Sequence, residues 1–320
     1  MPTYDVSSIG FYVCDILGRP VTRIPDGGRA DYIQEIRMTV AGTAGATAAD
    51  CAILGLKTLA VTTVGEDEMG DFMVAKLTRF GVDCAMVARD GSVQTSATIL
   101  PVRPNGERPA LHVPGTAATF RIPEGRLDAA LDARIVHVGG TGLLKSFDGA
   151  PTVEALRRAK ELGRITTFDL IQATPETFEL VRPCLPYIDY FVPSIEEASE
   201  MAGTTDPAEV ARFFKGLGVK NAILTMGGEG LRLARGGRGF PLARPCHRGG
   251  RYHGLRRQLH RRRDRGPRPR LGPARLLPLR LGGGGAGRDG ARLRRKARLV
   301  RGHDRGHEHL APAGELRTDG

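Results

Sequence analysis

Four short segments in the first three quarters of the chain combine residue types and spacing suited to chemistry. In Gly10-Phe11-Tyr12-Val13-Cys14-Asp15, a carboxylate stands just past a strand-like run. At the carboxyl end of a strand in an open α/β sheet, a carboxylate can accept hydrogen bonds from vicinal hydroxyls, or it can cap a turn. Ala41-Gly42-Thr43-Ala44-Gly45-Ala46-Thr47-Ala48 feeds a helix. Glycines there let backbone N–H groups approach a polar ligand, or let the helix sit close on a sheet. The segment lacks the GK[ST] ending of a Walker phosphate loop. Pro193-Ser194-Ile195-Glu196-Glu197 follows the strand Tyr190-Phe191-Val192. An acid in the first turn of a helix either closes a capping box or organises Mg²⁺ and its waters near phosphates. Leu224-Thr225-Met226-Gly227-Gly228-Glu229-Gly230 is a strand opening into a glycine turn. Such a turn can hold a nucleotide by its backbone or simply reverse a hairpin.

The elements that must position these residues alternate between strand and helix. YDVSSIGFYV reads as a first strand, AGATAADCAILGL as a small-residue helix and TLAVTTVG as a strand. DEMGDFMVAKLTRFGV carries Met69, Phe72, Met73, Leu77 and Phe80 at helical spacing. Strand-like ARIVHVGG, the helix TVEALRRAKELG and the strand ITTFDL follow, then the helices IEEASEMAG and DPAEVARFFKGLG and the strand NAILT. Asp206 stands at the N-cap of the last helix and Gly218 near its end. Repeated βα units predict a mostly parallel sheet covered by helices on both faces. RPVTRIPDGGRADYIQEIRMTV and QTSATILPVRPNGERPALHV break this rhythm; they read as short strands with Pro and Gly turns, suited to a small lid sheet.

The net charge of +12 is unevenly spread. Residues 241–320 hold 21 Arg, one Lys and six acidic residues, a net of +16, so residues 1–240 carry −4. The final stretch has no Ile or Phe, one Val (Val300) and one Tyr (Tyr252), and no sustained period, the composition of a disordered basic tail. Such a tail binds phosphates in a salt-sensitive way, but without interleaved aromatics or a recognition element it does not predict specific nucleic-acid binding. Cys14, Cys51, Cys84, Cys184 and Cys246 form no CxxC pair, which argues against a zinc site or disulfide framework and suits a reducing cytoplasm. MPTYDVSSIG carries no N-terminal signal pattern, and no apolar run reaches the length of a membrane span.

In order and spacing the four segments resemble the ribokinase-like (PfkB) carbohydrate kinase family, over about residues 4–235. The match to G-x(9)-G-x-D-x-x-G is the most specific: Gly55, then Gly65, Asp67 and Gly70. The resemblance implies an α/β fold with a parallel or mixed sheet sandwiched by helices and a small β lid. The kinase body would span 1–235, with lid strands near 20–40 and 94–113, followed by an unstructured tail at 236–320. It also implies ATP-dependent phosphorylation of a hydroxyl on a sugar or related small molecule, with Mg²⁺. By motif position, Asp15, Gly42 and Thr43 would bind substrate, Thr225, Gly227 and Gly230 the nucleotide, and Glu197 the metal. A homodimer through the lid is a further implication. Two positions depart from the pattern. Ala46 stands where the family usually has Asn, and Ser194 replaces the Asn of N-x-x-E.

One motif is missing. Phosphoryl transfer needs a base at the acceptor hydroxyl and donors for the transferring group. The family supplies both from a late D-T-x-G-A/C-G-D, and residues 231–320 contain none, so the chain has no catalytic Asp there. Yet Arg251-Tyr252-His253-Gly254-Leu255-Arg256-Arg257-Gln258-Leu259-His260-Arg261-Arg262, back-translated and read one nucleotide later, can spell Asp-Thr-Thr-Gly-Cys-Gly-Asp-Ser-Phe-Thr-Ala-Gly. The tail therefore reads as the product of a frame change between about Gly230 and Pro245, leaving a chain impaired in catalysis or reduced to a non-catalytic small-molecule binder.

Overall fold

The computed structural model describes residues 1–242, apart from Gln172, Gly228, Glu229, Gly236 and Gly237. Cys246, the arginine-rich stretch and the shifted motif lie outside the described residues. The chain starts with β1 (Tyr4–Gly10), and then forms two strands of a small sheet, β2 (Val13–Arg19) and β3 (Glu35–Ala41). It returns to the main body through α1 (Thr43–Ile53), β4 (Thr58–Gly65), α2 (Glu68–Phe80) and β5 (Val82–Asp90). Two more small-sheet strands follow, β6 (Ala97–Pro101) and β7 (Leu111–Val113), then two single turns, α3 (Thr116–Thr119) and α4 (Leu127–Ala130). The second half runs β8 (Ala133–Thr141), α5 (Ala150–Glu161), β9 (Ile165–Leu170), α6 (Pro175–Val181), a 3₁₀ helix (Arg182–Tyr187) and β10 (Tyr190–Phe191). It ends with α7 (Ile195–Ala202), α8 (Pro207–Gly216), β11 (Asn221–Thr225), β12 (Leu231–Arg235) and β13 (Arg238–Leu242).

The main sheet has the order β13-β12-β11-β10-β9-β8-β1-β4-β5. It is parallel from β11 to β5, and β12 and β13 join antiparallel at one edge. From β1 the chain steps outward through β4 and β5, then returns to β8 on the other side and steps away through β9, β10 and β11. The topological switch point therefore lies between β1 and β8. That is where open α/β sheets part their crossover helices and leave a crevice at the strands' carboxyl ends.

Helices cover both faces, as a sheet buried on two sides requires. Along β4, Leu59 and Val61 belong to the core under α5 and α8, while Ala60 and Val64 belong to the core under α1 and α2. In α2, Met73 and Leu77 are fully buried, and Met69, Phe72 and Phe80 pack beside them, so the helical spacing read from the sequence is the buried face. Ala44, Gly45, Ala48 and Ala49 give α1 a thin buried face. Ser8 Oγ on β1 reaches the Ala44 carbonyl at 2.8 Å, across an interface that larger side chains would hold open. No helix among the described residues is long and apolar enough to cross a membrane.

The small sheet has the order β3-β2-β6-β7. Its strands differ from the boundaries read in the sequence. Residues 20–34 are mainly a connection, and β2, which begins at Val13, was absorbed there into the end of the first strand. β13 adds a further strand to the main sheet, running to Leu242.

Candidate active site

Cross-strand register gives the small sheet two unlike faces. Thr39, Asp15, Thr98 and His112 lie side by side on β3, β2, β6 and β7. The next row, on the opposite face, is Met38, Ile16, Ile99 and Leu111. The apolar face packs onto α2 at its base, where Cys14 is fully buried, and is exposed toward its tip at Ile36, Met38, Ile99 and Leu111. The polar face looks to the switch point. His112 meets the Phe11 ring edge-on at 5.8 Å between centroids, and Phe11 directly follows β1.

Asp15 is thus not beyond the first strand but inside the second, where strand pairing holds it over the sheet. Burial pushes its carboxyl up to about 6, against the Thr98 hydrogen bond and the Arg108 charge, which pull it down. At neutral pH it is an ionised acceptor in a partly dry site. The Thr98 hydroxyl is also 3.0 Å from His112 Nδ1, which ties β2, β6 and β7 into one polar row. Burial lowers the His112 pKa, favouring the neutral ring. Thr98 and His112 were not singled out from the sequence. The alternation in ATIL, which puts Thr98 opposite Ile99, was the available signal.

Below this row the crevice is narrow because glycine lines it. Gly10 and Gly140 both take positive φ, 121° and 106°; a Cβ at Gly10 would overlap the Gly139 carbonyl and one at Gly140 the Phe11 side chain. Gly42 caps α1 at φ 86°, with its Cβ position 2.5 Å from the Phe11 carbonyl. The N–H groups of Ala44 and Gly45 do not point to open space. Both donate to the Phe11 carbonyl at 3.2 Å, so this glycine-rich segment is first a packing device. Thr43 keeps something to offer: its buried hydroxyl has no hydrogen-bond partner among the described residues. Thr43 Oγ1 stands beside Gly139 at the end of β8, while Asp15 lies on the polar face of the small sheet.

The remaining sequence-read residues gather three to four strands away. Ser194 bridges Thr225 in parallel register, and Thr225 N–H donates to the Pro193 carbonyl at 3.0 Å. Ser194 is the N-cap of α7, and Glu197 closes a capping box. Glu197 Oε2 accepts the Ser194 N–H at 2.8 Å and hydroxyl at 2.7 Å. Gly227 and Gly230 take positive φ in the turn that joins β11 to antiparallel β12, a hairpin closed by Met226 N–H donating to Gly230 at 2.8 Å. Among the described residues, the Cβ position of Gly227 meets nothing within 4 Å. No group of three or more His, Cys, Asp or Glu among the described residues could hold a metal by itself. With strands about 4.8 Å apart, β11 and β1 are about 19 Å apart along the same carboxyl edge.

A family model described as pfkB family carbohydrate kinase matches residues 7–248. The chain belongs to this family. Its relatives include fructokinase-2 of Oryza sativa subsp. japonica, 30% identical over 123 residues, 37% of each chain. The ribokinase of Staphylococcus aureus (strain COL) is 24% identical over 220 residues, covering 67% of this chain and 70% of the relative. The match to the plant fructokinases spans little more than a third of their length. Among solved structures, a PfkB protein from Polaromonas sp. JS666 superposes with a TM-score of 0.63 at 23% identity, over 75% of this chain and 83% of that one. An Arabidopsis thaliana ribokinase complexed with ribose and ATP gives 0.61 at 20% identity, over 75% and 78%. These superpositions establish a ribokinase-like fold.

Proposed function

We propose that the described body binds a sugar or related polyhydroxy molecule between the polar face of the lid and the β1–β8 crevice. The observation that carries this reading is the Thr39-Asp15-Thr98-His112 row, standing over the switch point of a pfkB-family sheet. Asp15 would accept two hydroxyls, and Thr43 would supply a hydroxyl from the crevice floor. Thr225, Gly227 and Gly230 would receive ATP along the same edge. Mg²⁺ would come bound to its phosphates and neutralise their charge, with Glu197 orienting its waters. In a family member with its late motif intact, these parts support transfer of a phosphoryl group to the sugar hydroxyl. The localisation that suits this reading is the cytoplasm.

A second reading rests on one observation, the absence of D-T-x-G-A/C-G-D from residues 231–320. Without its base and anion hole the chain binds its small molecule and transfers phosphoryl slowly or not at all. The basic tail is a weaker ground for function, since its charge alone gives only nonspecific phosphate attraction.

Calorimetric titration with pentoses, hexoses, sugar acids and nucleosides tests the binding reading. At least one class should bind, and Asp15→Asn should weaken it tenfold or more, on the order of one hydrogen bond to a charged group. Binding by none of them, or binding indifferent to Asp15→Asn, would contradict it. A homodimer through the exposed tip of the lid's apolar face also belongs to this proposal. Two such sheets pack face to face with isologous contacts, and a second copy presents the same Met38, Ile99 and Leu111 row.

A further inference from the structure

The Gly65-x-Asp67-x-x-Gly70 segment does more than start a helix. Asp67 caps α2 by accepting the Gly70 N–H on Oδ1 at 2.8 Å. The same carboxylate also takes both polar groups of a residue 28 positions later: the Thr95 hydroxyl at 2.6 Å on Oδ1 and the Thr95 N–H at 2.7 Å on Oδ2. The Thr95 hydroxyl in turn accepts the Gly65 N–H at 2.8 Å, so its donor and one lone pair are both used. Burial alone would raise the Asp67 pKa, but these hydrogen bonds outweigh it and hold the carboxyl below its ordinary range. Both glycines are sterically required. A Cβ on Gly65 would stand 2.7 Å from Asp67 Oδ2 and from the Thr95 nitrogen, and one on Gly70 would overlap the Gly65 carbonyl.

Thr95 stands where the lid leaves the body. Cys14 N–H of β2 donates to the Ser96 carbonyl at 2.9 Å, and Thr116 N–H, just after β7, donates to the Gln94 carbonyl at 3.0 Å. Ser96 N–H, just before β6, donates to the Thr116 hydroxyl at 3.3 Å. Three of the four lid strands thus meet at residues 94–96, and Thr95 and Ser96 are fully buried. We infer that Asp67 is a positioning residue, which clamps Thr95 and through it fixes the angle of the lid strands over the β1–β8 crevice. The significance for substrate rests on the proposed reading that the lid covers a sugar; the clamp itself does not.

Helix capping and clamping separate chemically. Asp67→Asn keeps a carbonyl for the Gly70 N–H but turns an amide N–H₂ toward the Thr95 N–H, donor against donor. Thr95→Val removes the hydroxyl at nearly constant volume, and Thr95→Ser restores it. Hydrogen exchange followed by mass spectrometry on the ligand-free full chain reads the difference. Asp67→Asn and Thr95→Val should speed exchange in peptides covering 97–113 by about tenfold, with α2 and residues 58–64 of β4 unchanged and Thr95→Ser near wild type; the Gly65 amide, which donates to the Thr95 hydroxyl, is left out of the comparison. Should Thr95→Val not fold, Asp67→Asn carries the test. Exchange unchanged in the lid, or raised equally in lid and body, overturns the clamp. A wild-type chain that binds no sugar overturns the proposed function and leaves this comparison intact.

Discussion

Asp15 makes one residue answer for two opposite pH effects. Its carboxyl is pushed up to about 6 by burial, so the folded protein prefers it protonated. The unfolded chain releases the proton near the ordinary carboxylate value. This group therefore penalises folding above about pH 6, and the penalty is relieved as pH falls through that value. Hydroxyl binding runs the other way, because it needs the ionised acceptor. Sugar affinity measured by calorimetry should fall by up to about tenfold per unit below pH 6 while the ligand-free melting temperature gains a contribution from the same proton. Asp15→Asn should flatten both. Gly10 is a second single-residue test. Its φ of 121° and the Gly139 carbonyl behind it leave no place for a methyl group. Gly10→Ala should cost about 3 kcal/mol or more in denaturant unfolding.

At the scale of elements, the N-cap of α7 explains a departure from the family pattern. Serine and asparagine are both strong N-caps, so Ser194 keeps the start of the helix where the family's usual Asn would. Ser194→Ala should cost about 1 kcal/mol by thermal unfolding, and Ser194→Asn much less. The exposed lid row makes a separate prediction. On the proposed dimer, Ile99→Lys should shift the protein toward monomer in light scattering, because Ile99 is 53% exposed and free to face a second copy. Much of this level was legible in the sequence. The helical spacing of Met69, Met73 and Leu77, the Asp206 cap, and the βα rhythm all carry local signals, and each corresponds to an element found. Strand β2 was hidden because its apolar residues continue those of β1. Only the positive φ of Gly10 and the two residues Phe11 and Tyr12 outside either strand divide the two, and neither leaves a mark distinct from a long strand. Strand β13 was hidden by Pro241, which lowers strand propensity yet is tolerated on an edge, where β13 lies. The site was legible as a set of motifs but not as a geometry. Thr98 and His112 join Asp15 only through pairing between strands distant in sequence, and the clamp from Asp67 to Thr95 is equally non-local.

On the scale of the whole molecule, a pfkB-family body is followed by a sequence, residues 231–320, without the D-T-x-G-A/C-G-D motif. The residues proposed to bind substrate and nucleotide lie among the described residues, and the proposed frame change would put the base and anion hole one nucleotide out of frame. On this reading, removing one base within codons 230–250 of the nucleotide sequence should open a D-T-T-G-C-G-D frame. The most direct measurement compares ATP consumption across a sugar panel by this chain and by its frame-restored counterpart. The account predicts sugar-dependent turnover in the restored protein and little or none above a no-enzyme control in the chain as it stands. Equal turnover by both, or none by the restored protein with any sugar that the body binds, would contradict it.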